Sequence, residues 1–272
     1  MMSRLNTIKV WEGPSELDGA PIMLLLTGLA TPSNNAKTGD LLQTWILLRD
    51  VAPHLAVKTG EDASVCGQCP LRPALHERGV VSLRACYVKV FQAPLSTWKA
   101  NRDAPVFPVE GTRALVAGRK VRRGSYGDPG AVPAHVWDIF TDNAGTGYTH
   151  QWRDAYLSSF AMASVHDATE RAEARARGYR TFRVSASADD ILPGEILCPA
   201  SKEAGELTQC ADCNLCDGSR ADVSFGAHGG GAVERANPWA NVSVVEWNNR
   251  DYAESVDWSR DRRKDIVIPA HQ

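Results

Sequence analysis

Residues 160–185 constrain the fold more than any other stretch. "FAMASV" (160–165) reads as a short apolar strand. Asp167 then stands as a helix N-cap with Glu170 three residues on, "ATERAEARAR" is dense in helix formers, and Gly178 supplies the stop. "YRTFRVS" (179–185) is the next strand. A strand, a helix and a strand on short connections imply a parallel sheet. The rhythm recurs. "QTWILLRDV" (43–51), "RKVRRG" (119–124), "TGYT" (146–149) and "EILCPAS" (195–201) read as strands. "PAHVWDIFTDN" (133–143) reads as a helix with Val136, Ile139 and Phe140 on one face, after the loop "SYGDPGAVP". The expected fold is α/β with mainly parallel strands. A partial or irregular (β/α) barrel comes first and an open sheet second, with cysteine-rich loops at the carboxyl ends of the strands.

With 272 residues, 43% apolar and 23% charged, the chain suits a single α/β domain. Residues 1–36, with turn-rich "WEGPSELDGAP" and "ATPSNNAKTG", read as an N-terminal addition to a core at 37–225. Residues 226–262, with a triple glycine, Asn-Pro and many Trp and Asn, read as an irregular excursion. "DIVIPAHQ" lies in a terminal strand at 263–272. A net charge of −2 gives no general affinity for nucleic acid or membrane. The basic stretches at 119–123 and 260–264 read as solvated faces. "MMSRLNTIKVWEG" has no apolar signal region, and "APIMLLLTGLA" (20–30) is too short and too broken by glycine to span a bilayer. The expected location is the cytoplasm. In that reducing compartment close cysteines are ligands or redox groups rather than staples, and their number, seven, is odd.

Those cysteines form two sets. Cys198, Cys210, Cys213 and Cys216 make one, with three thiols at three-residue spacing and a more distant Cys-Pro. Zinc is usually held by two separated Cys-x-x-Cys knuckles. A run at three-residue spacing with a remote Cys-Pro is how bacterial ferredoxins hold a [4Fe–4S] cluster. Spacing alone leaves both a cluster and a zinc ion open. Cys66, Cys69 and Cys86 make the other set. Three thiolates leave one iron of a cubane free for a substrate or cofactor. Alternatively His76 completes a Cys₃His zinc site, or Cys66 and Cys69 act as a redox pair.

Reactive residues recur where strands run out. Tyr126 and Asp128 follow one strand and His150 and Gln151 another. Ser164 and His166 close "FAMASV", Ser185 closes "FRV" and Cys198 closes "EIL". In parallel α/β folds the carboxyl ends of the strands are the working face. Asp128, His150 and Ser185 are therefore the candidate catalytic residues. A hydrolase built on His150, His166 and Asp128 has no supporting motif.

"AKTGDLLQTWILLRD", "SVCGQCPLR…RACYV", "RRGSYGDPGAVP", "GYTHQW", "GYRTFRVS" and "LCPASKEAGELTQCADCNLCDG" together resemble a bacteriophage protein family common in phages of actinobacteria. That family is related to the gene-product-88-like phage proteins, which are similar in outline to radical S-adenosylmethionine proteins. The resemblance covers residues 36–218 and the terminal "IVIPAHQ". It implies a partial α/β barrel whose three-cysteine loop holds a [4Fe–4S] cluster with S-adenosylmethionine on the open iron. Tyr87, beside Cys86, then helps seat that ligand, and the second set becomes an auxiliary [4Fe–4S] centre. The spacing departs from the Cys-x-x-x-Cys-x-x-Cys of those enzymes, with two and then sixteen residues between the cysteines. The leading expectation is an iron–sulfur protein with one or two clusters, a redox enzyme acting on a nucleotide or nucleic acid in the host cytoplasm. The alternative is a zinc-stabilised, non-catalytic protein that binds a host protein or nucleic acid.

Overall fold

The computed structural model describes residues 5–33, 35–73, 84, 86–155, 157–185 and 187–226. The expected excursion, apart from Gly226, lies outside the described residues, and so do the terminal strand and His76.

Nine strands form one sheet: β1 (Thr7–Pro14), β2 (Pro21–Thr27), β3 (Leu42–Leu48), β4 (Val121–Tyr126), β5 (Gly145–Thr149), β6 (Met162–Val165), β7 (Thr181–Ser185), β8 (Glu195–Leu197) and β9 (Asp222–Gly226). The order across the sheet is β1-β2-β3-β4-β5-β6-β7-β9-β8. The β1–β2 and β2–β3 pairs are antiparallel, and every later pair is parallel. Among the described residues no pairing joins β1 to β8, so the sheet is open and mixed rather than closed. The helices are α1 (Pro53–Thr59), α2 (Ala63–Cys66), α3 (Ala93–Asn101), α4 (Val109–Val116), α5 (Ala168–Ala176) and α6 (Cys210–Cys213). The expected helix at 133–143 is a 3₁₀ segment, Ala134–Phe140, which buries Val136, Trp137, Ile139 and Phe140. Among the described residues no helix is long and apolar enough to cross a membrane.

The segment read as an N-terminal addition carries β1 and β2. β1 and β2 form a hairpin that extends the same sheet. The run read as too short for a bilayer is β2, whose residues Ile22 to Leu26 are fully buried. Each such side chain contributes about 1.5–3 kcal/mol on burial, which holds the hairpin to β3. Its turn closes through Ser15 N–H to the Ala20 carbonyl, 2.8 Å, with Asp18 accepting from Ala20 N–H.

Register assigns the two faces. Arg122, Thr146, Tyr148, Met162, Ser164, Phe182 and Val223 share one; Arg123, Gly147, Thr149, Ala163 and Val165 share the other. From β3 to β7 each strand lies beside the one before it, in one direction. Parallel crossovers are right-handed in nearly all cases, so these connections fall on one face. They do: Arg123 donates to the carbonyls of Phe140 and Asn143, and Ala174 of α5 packs on Ala163 and Val165. The last crossover runs backwards, because β9 inserts between β7 and β8. The same handedness puts it on the opposite face. Residues 198–221, which carry the second cysteine set, are that crossover.

A buried ion-pair network holds this far edge. Arg183 of β7 reaches past the small Ser224 of β9 to Glu195 of β8, 2.7 Å, with both side chains almost fully buried. Arg171 and Arg175 of α5 pair with Asp222 of β9 at 2.9 and 2.8 Å. Removing one member of a buried pair strands the other charge. Arg183→Met is expected to lower stability by about 3 kcal/mol in urea denaturation. A loss well under that would mean Arg171 and the Leu192 N–H satisfy Glu195 alone.

Candidate metal centre

The first set is assembled by the long β3–β4 connection. α2 ends at Cys66, and Cys69 N–H donates to the Cys66 carbonyl at 3.2 Å, so the two thiols share one turn. Gly67 makes that turn at φ +56, where a Cβ would stand 2.4 Å from the Gln151 amide. Only glycine fits there. Arg72 locks the loop through the carbonyls of Gly67 and Gly60, each 2.9 Å, and the Asp62 carboxylate at 2.7 Å. Cys86 N–H donates to the Leu71 carbonyl, 2.9 Å, which folds the third cysteine back on the first two.

Asp128 joins this loop to the strand ends. Its backbone N–H donates to the Val65 carbonyl at 2.6 Å. Its carboxylate accepts from Gly130 N–H, the Thr149 hydroxyl and His150 N–H at 2.8, 2.7 and 2.7 Å. Burial raises its pKa, and these donors pull it back down. Through Oδ2 Asp128 holds the His150 backbone, and through Oδ1 it ties Gly130 to Thr149. The His150 imidazole lies with Nε2 3.8 Å from Cys69 Sγ and stacks on His166, with centroids 5.4 Å apart. Burial holds His150 down at about 3, with His166 adding to the effect, so the ring is neutral and able to act as a ligand. His166, named in the sequence as a strand-end residue and in the unsupported hydrolase reading, is thus the second ring of a pair.

The thiols feel one another. Burial pushes Cys66 well up, and Cys69, Cys86, Asp62 and Asp128 add to it. Cys69 is pushed to about 12, again mostly by burial, with Cys86 and Asp128 contributing. Such thiols stay protonated until a cation takes the proton's place.

The second set lies over the sheet. Cys198 follows β8, and its N–H donates to the Ser224 carbonyl at 2.9 Å. Cys210 and Cys213 bound α6, which starts where Cys210 N–H meets the Lys37 carbonyl at 2.8 Å and ends at Asn214 in a left-handed conformation. The Cys216 carbonyl accepts from Gly147 N–H, 3.3 Å. Cys198, Cys210 and Cys216 pack in one apolar layer with Met162, Val223, Tyr148 and Phe182. Burial pushes Cys216 to about 12, the Tyr148 phenol against its sulfur opposes this, and Cys198, Cys210 and Cys213 raise it further. Burial also raises Cys198, opposed by Lys37, and Cys210, opposed by Arg122 and Lys37. Lys37 sits 3.9 Å above the Phe225 ring.

The expected arrangement is therefore corrected in two places. Cys198 does not open beside Asp128 and His150; the reversed crossover carries its loop over the sheet. Ser185 lies in the β7–β9 seam, where its hydroxyl donates to the Ser187 carbonyl at 2.8 Å and meets Ser224 at 3.3 Å. Tyr87, 75% exposed, accepts a hydrogen bond from Arg122 at 2.8 Å. Arg122 in turn lies within electrostatic reach of Tyr148 and Cys210, so it bridges the surroundings of the two sets. Tyr148 and Lys37 were not picked out in the sequence, and Arg122 was read only as part of the solvated basic stretch 119–123, which instead runs into β4 with Val121 and Arg123 buried. The alternation of β4 and β5 was the available signal for Arg122 and Tyr148.

All seven cysteines are free thiols. Among the described residues no three His, Cys, Asp or Glu side chains form a closed metal-holding group. The donor sets still fit a thiophilic metal chemically: three thiols beside a neutral imidazole, and three thiols in an apolar layer with Cys213 on the adjoining helix and two cations beside them. Compared with known protein families, curated proteins and solved structures, the chain has no match.

Asp128→Asn places an amide N–H₂ against the N–H donor of His150 or against those of Gly130 and Thr149. The variant is expected to lose about 1–3 kcal/mol of stability in thermal or urea melts, with the His150 ring signals shifted in NMR. Unchanged His150 signals would count against the positioning role.

Proposed function

We propose that this chain is a metal-cluster protein, with Cys198, Cys210, Cys213 and Cys216 holding one [4Fe–4S] cluster and Cys66, Cys69 and Cys86 a second. The observation that carries this is the packing of Cys198, Cys210 and Cys216 in one apolar layer, with Cys213 at the other end of the short helix that starts at Cys210. Three thiols pushed upward by burial, those of Cys198, Cys210 and Cys216, are an awkward structural filling. They become favourable once a metal replaces their protons. Lys37 and Arg122, beside this layer, offset the negative charge that four thiolates and a cluster carry.

The first set supports an open site. It supplies three thiols with His150 beside Cys69, and Tyr87 stands exposed next to Cys86. β3 to β7 follow one another in a single direction, the order that a partial barrel of the radical S-adenosylmethionine kind has. On this reading the protein is a redox enzyme of that kind, acting on a nucleotide or nucleic acid. A cluster there would supply the electron. Asp128 would hold His150 in place, and Tyr87 and Arg122 would border the ligand.

A zinc reading is favoured by one contact. His150 Nε2 lies 3.8 Å from Cys69 Sγ, which offers Cys66, Cys69, Cys86 and His150 as a Cys₃His set. The protein would then be a zinc-stabilised binder of a host protein or nucleic acid.

Purification without oxygen, followed by assays of iron, sulfide and zinc, separates the two. The cluster reading expects iron and acid-labile sulfide with a visible sulfur-to-iron band. Cys213→Ala then lowers bound iron by about half, leaving the first set loaded. Stoichiometric zinc without iron or sulfide would establish the zinc reading, and a metal-free protein would sink both. Formation of 5′-deoxyadenosine from S-adenosylmethionine and a reductant tests the enzymatic branch.

A further inference from the structure

Tyr126 ends β4 and is 4% exposed, yet its hydroxyl is buried without a hydrogen-bond partner. Buried polar atoms in folded proteins are nearly always paired, so an orphan marks a missing ion, water or ligand. Two residues on, Asp128 N–H donates to the Val65 carbonyl next to Cys66, which brings the end of β4 to the first cysteine set, and the phenol lies within electrostatic reach of Cys66, Asp62, Arg84 and Cys86. Its place is fixed by burial of the ring, which also keeps the hydroxyl protonated and therefore a donor.

The same surroundings hold further orphans. Arg72 Nε and Arg84 Nε are buried without acceptors, and neither ring nitrogen of His166 has a hydrogen-bond partner. Arg72 lies within electrostatic reach of Cys66 and Cys69. Arg84 donates to the Cys86 carbonyl at 3.0 Å. His166 stacks on His150, which meets Cys69. Neither Asp62, whose Oδ1 takes Arg72 Nη2, nor Asp128, which serves Gly130, Thr149 and His150, accepts from Tyr126, Arg72 Nε or Arg84 Nε. What this pocket lacks is an acceptor, and neutral thiols are poor ones. Metal-bound thiolates and cluster sulfides are negative and accept well.

We infer that Tyr126 donates its hydroxyl hydrogen to a sulfur of the metal group held by Cys66, Cys69 and Cys86, a positioning contact that stabilises the loaded site. The inference rests on the metal-cluster reading above. Hydrogen bonds to the sulfurs of a cluster tune its potential and retention, and outer-shell partners of a metal site affect metal affinity about 10–100-fold.

Tyr126→Phe removes only the oxygen. The full chain, wild type and variant, is melted both as purified without oxygen and after stripping with a chelator. Metal-free, the variant is expected to melt at or above wild type, because an orphan has been removed. Loaded, it should show a smaller metal-dependent rise in Tm, a shifted sulfur-to-metal band and about tenfold faster loss of metal to chelator. An equal rise, band and loss rate in the two proteins would overturn the inference and leave the metal-cluster reading standing. So would a metal-free variant that melts below wild type, because the hydroxyl would then have a partner in the protein itself. If neither protein binds metal, the functional reading fails first and takes this inference with it.

Discussion

The handedness of the crossovers decides what this protein can display. From β3 to β7 the chain moves one strand at a time in one direction, so right-handed connections stack on one face. That leaves the face of Arg122, Tyr148, Met162 and Phe182 without helices. β9 then inserts inside β8, and the same rule swings residues 198–221 across the bare face. The four-cysteine loop is therefore packed against a sheet rather than hung from a strand end. Met162 and Val223 supply the floor beneath its thiols, and Tyr148 and Phe182 line it.

The two cysteine sets obey one electrostatic logic by different means. The second is an apolar layer with cations at its edge, Lys37 above Phe225 and Arg122 near Cys210. The first is a polar clamp. Asp128 collects three donors from two strand ends and fixes a neutral imidazole against Cys69. Burial raises Cys66 and Cys69 in the first and Cys198, Cys210 and Cys216 in the second, which favours their protonated form without a cation. Arg122 lies between them, touching Tyr87 on one side and feeling Cys210 on the other.

Much of the strand pattern was legible in residues alone. The capping box at Asp167 and Glu170 is present, with Asp167 accepting from Glu170 N–H at 2.8 Å and the Glu170 carboxylate accepting from His166 N–H. β3, β4, β5, β6, β7 and β8 each overlap an expected strand. β1 and β2 were hidden by the turn-rich segments around them, since "PIMLLLT" carries no alternation when both faces are buried. β9 has only five residues, with Ser224 inside. The helix-like face of Val136, Ile139 and Phe140 was real, but the segment winds as 3₁₀ between Pro133 and Thr141.

By itself the sequence determined the parallel strand–helix–strand class, the grouping of the cysteines by spacing, and Asp128 and His150 as residues at strand ends. Those are local properties, written in periodicity, capping and turn chemistry within a few residues. Only the tertiary structure decided that Cys86 folds back to Cys66 and Cys69, that His150 meets Cys69, that Ser185 stands apart, and that the second set lies over the sheet face. Each of these depends on the order of strands across the sheet and on which face a crossover takes. Strand order is set by the burial and packing of the whole chain, and no stretch of residues carries it alone.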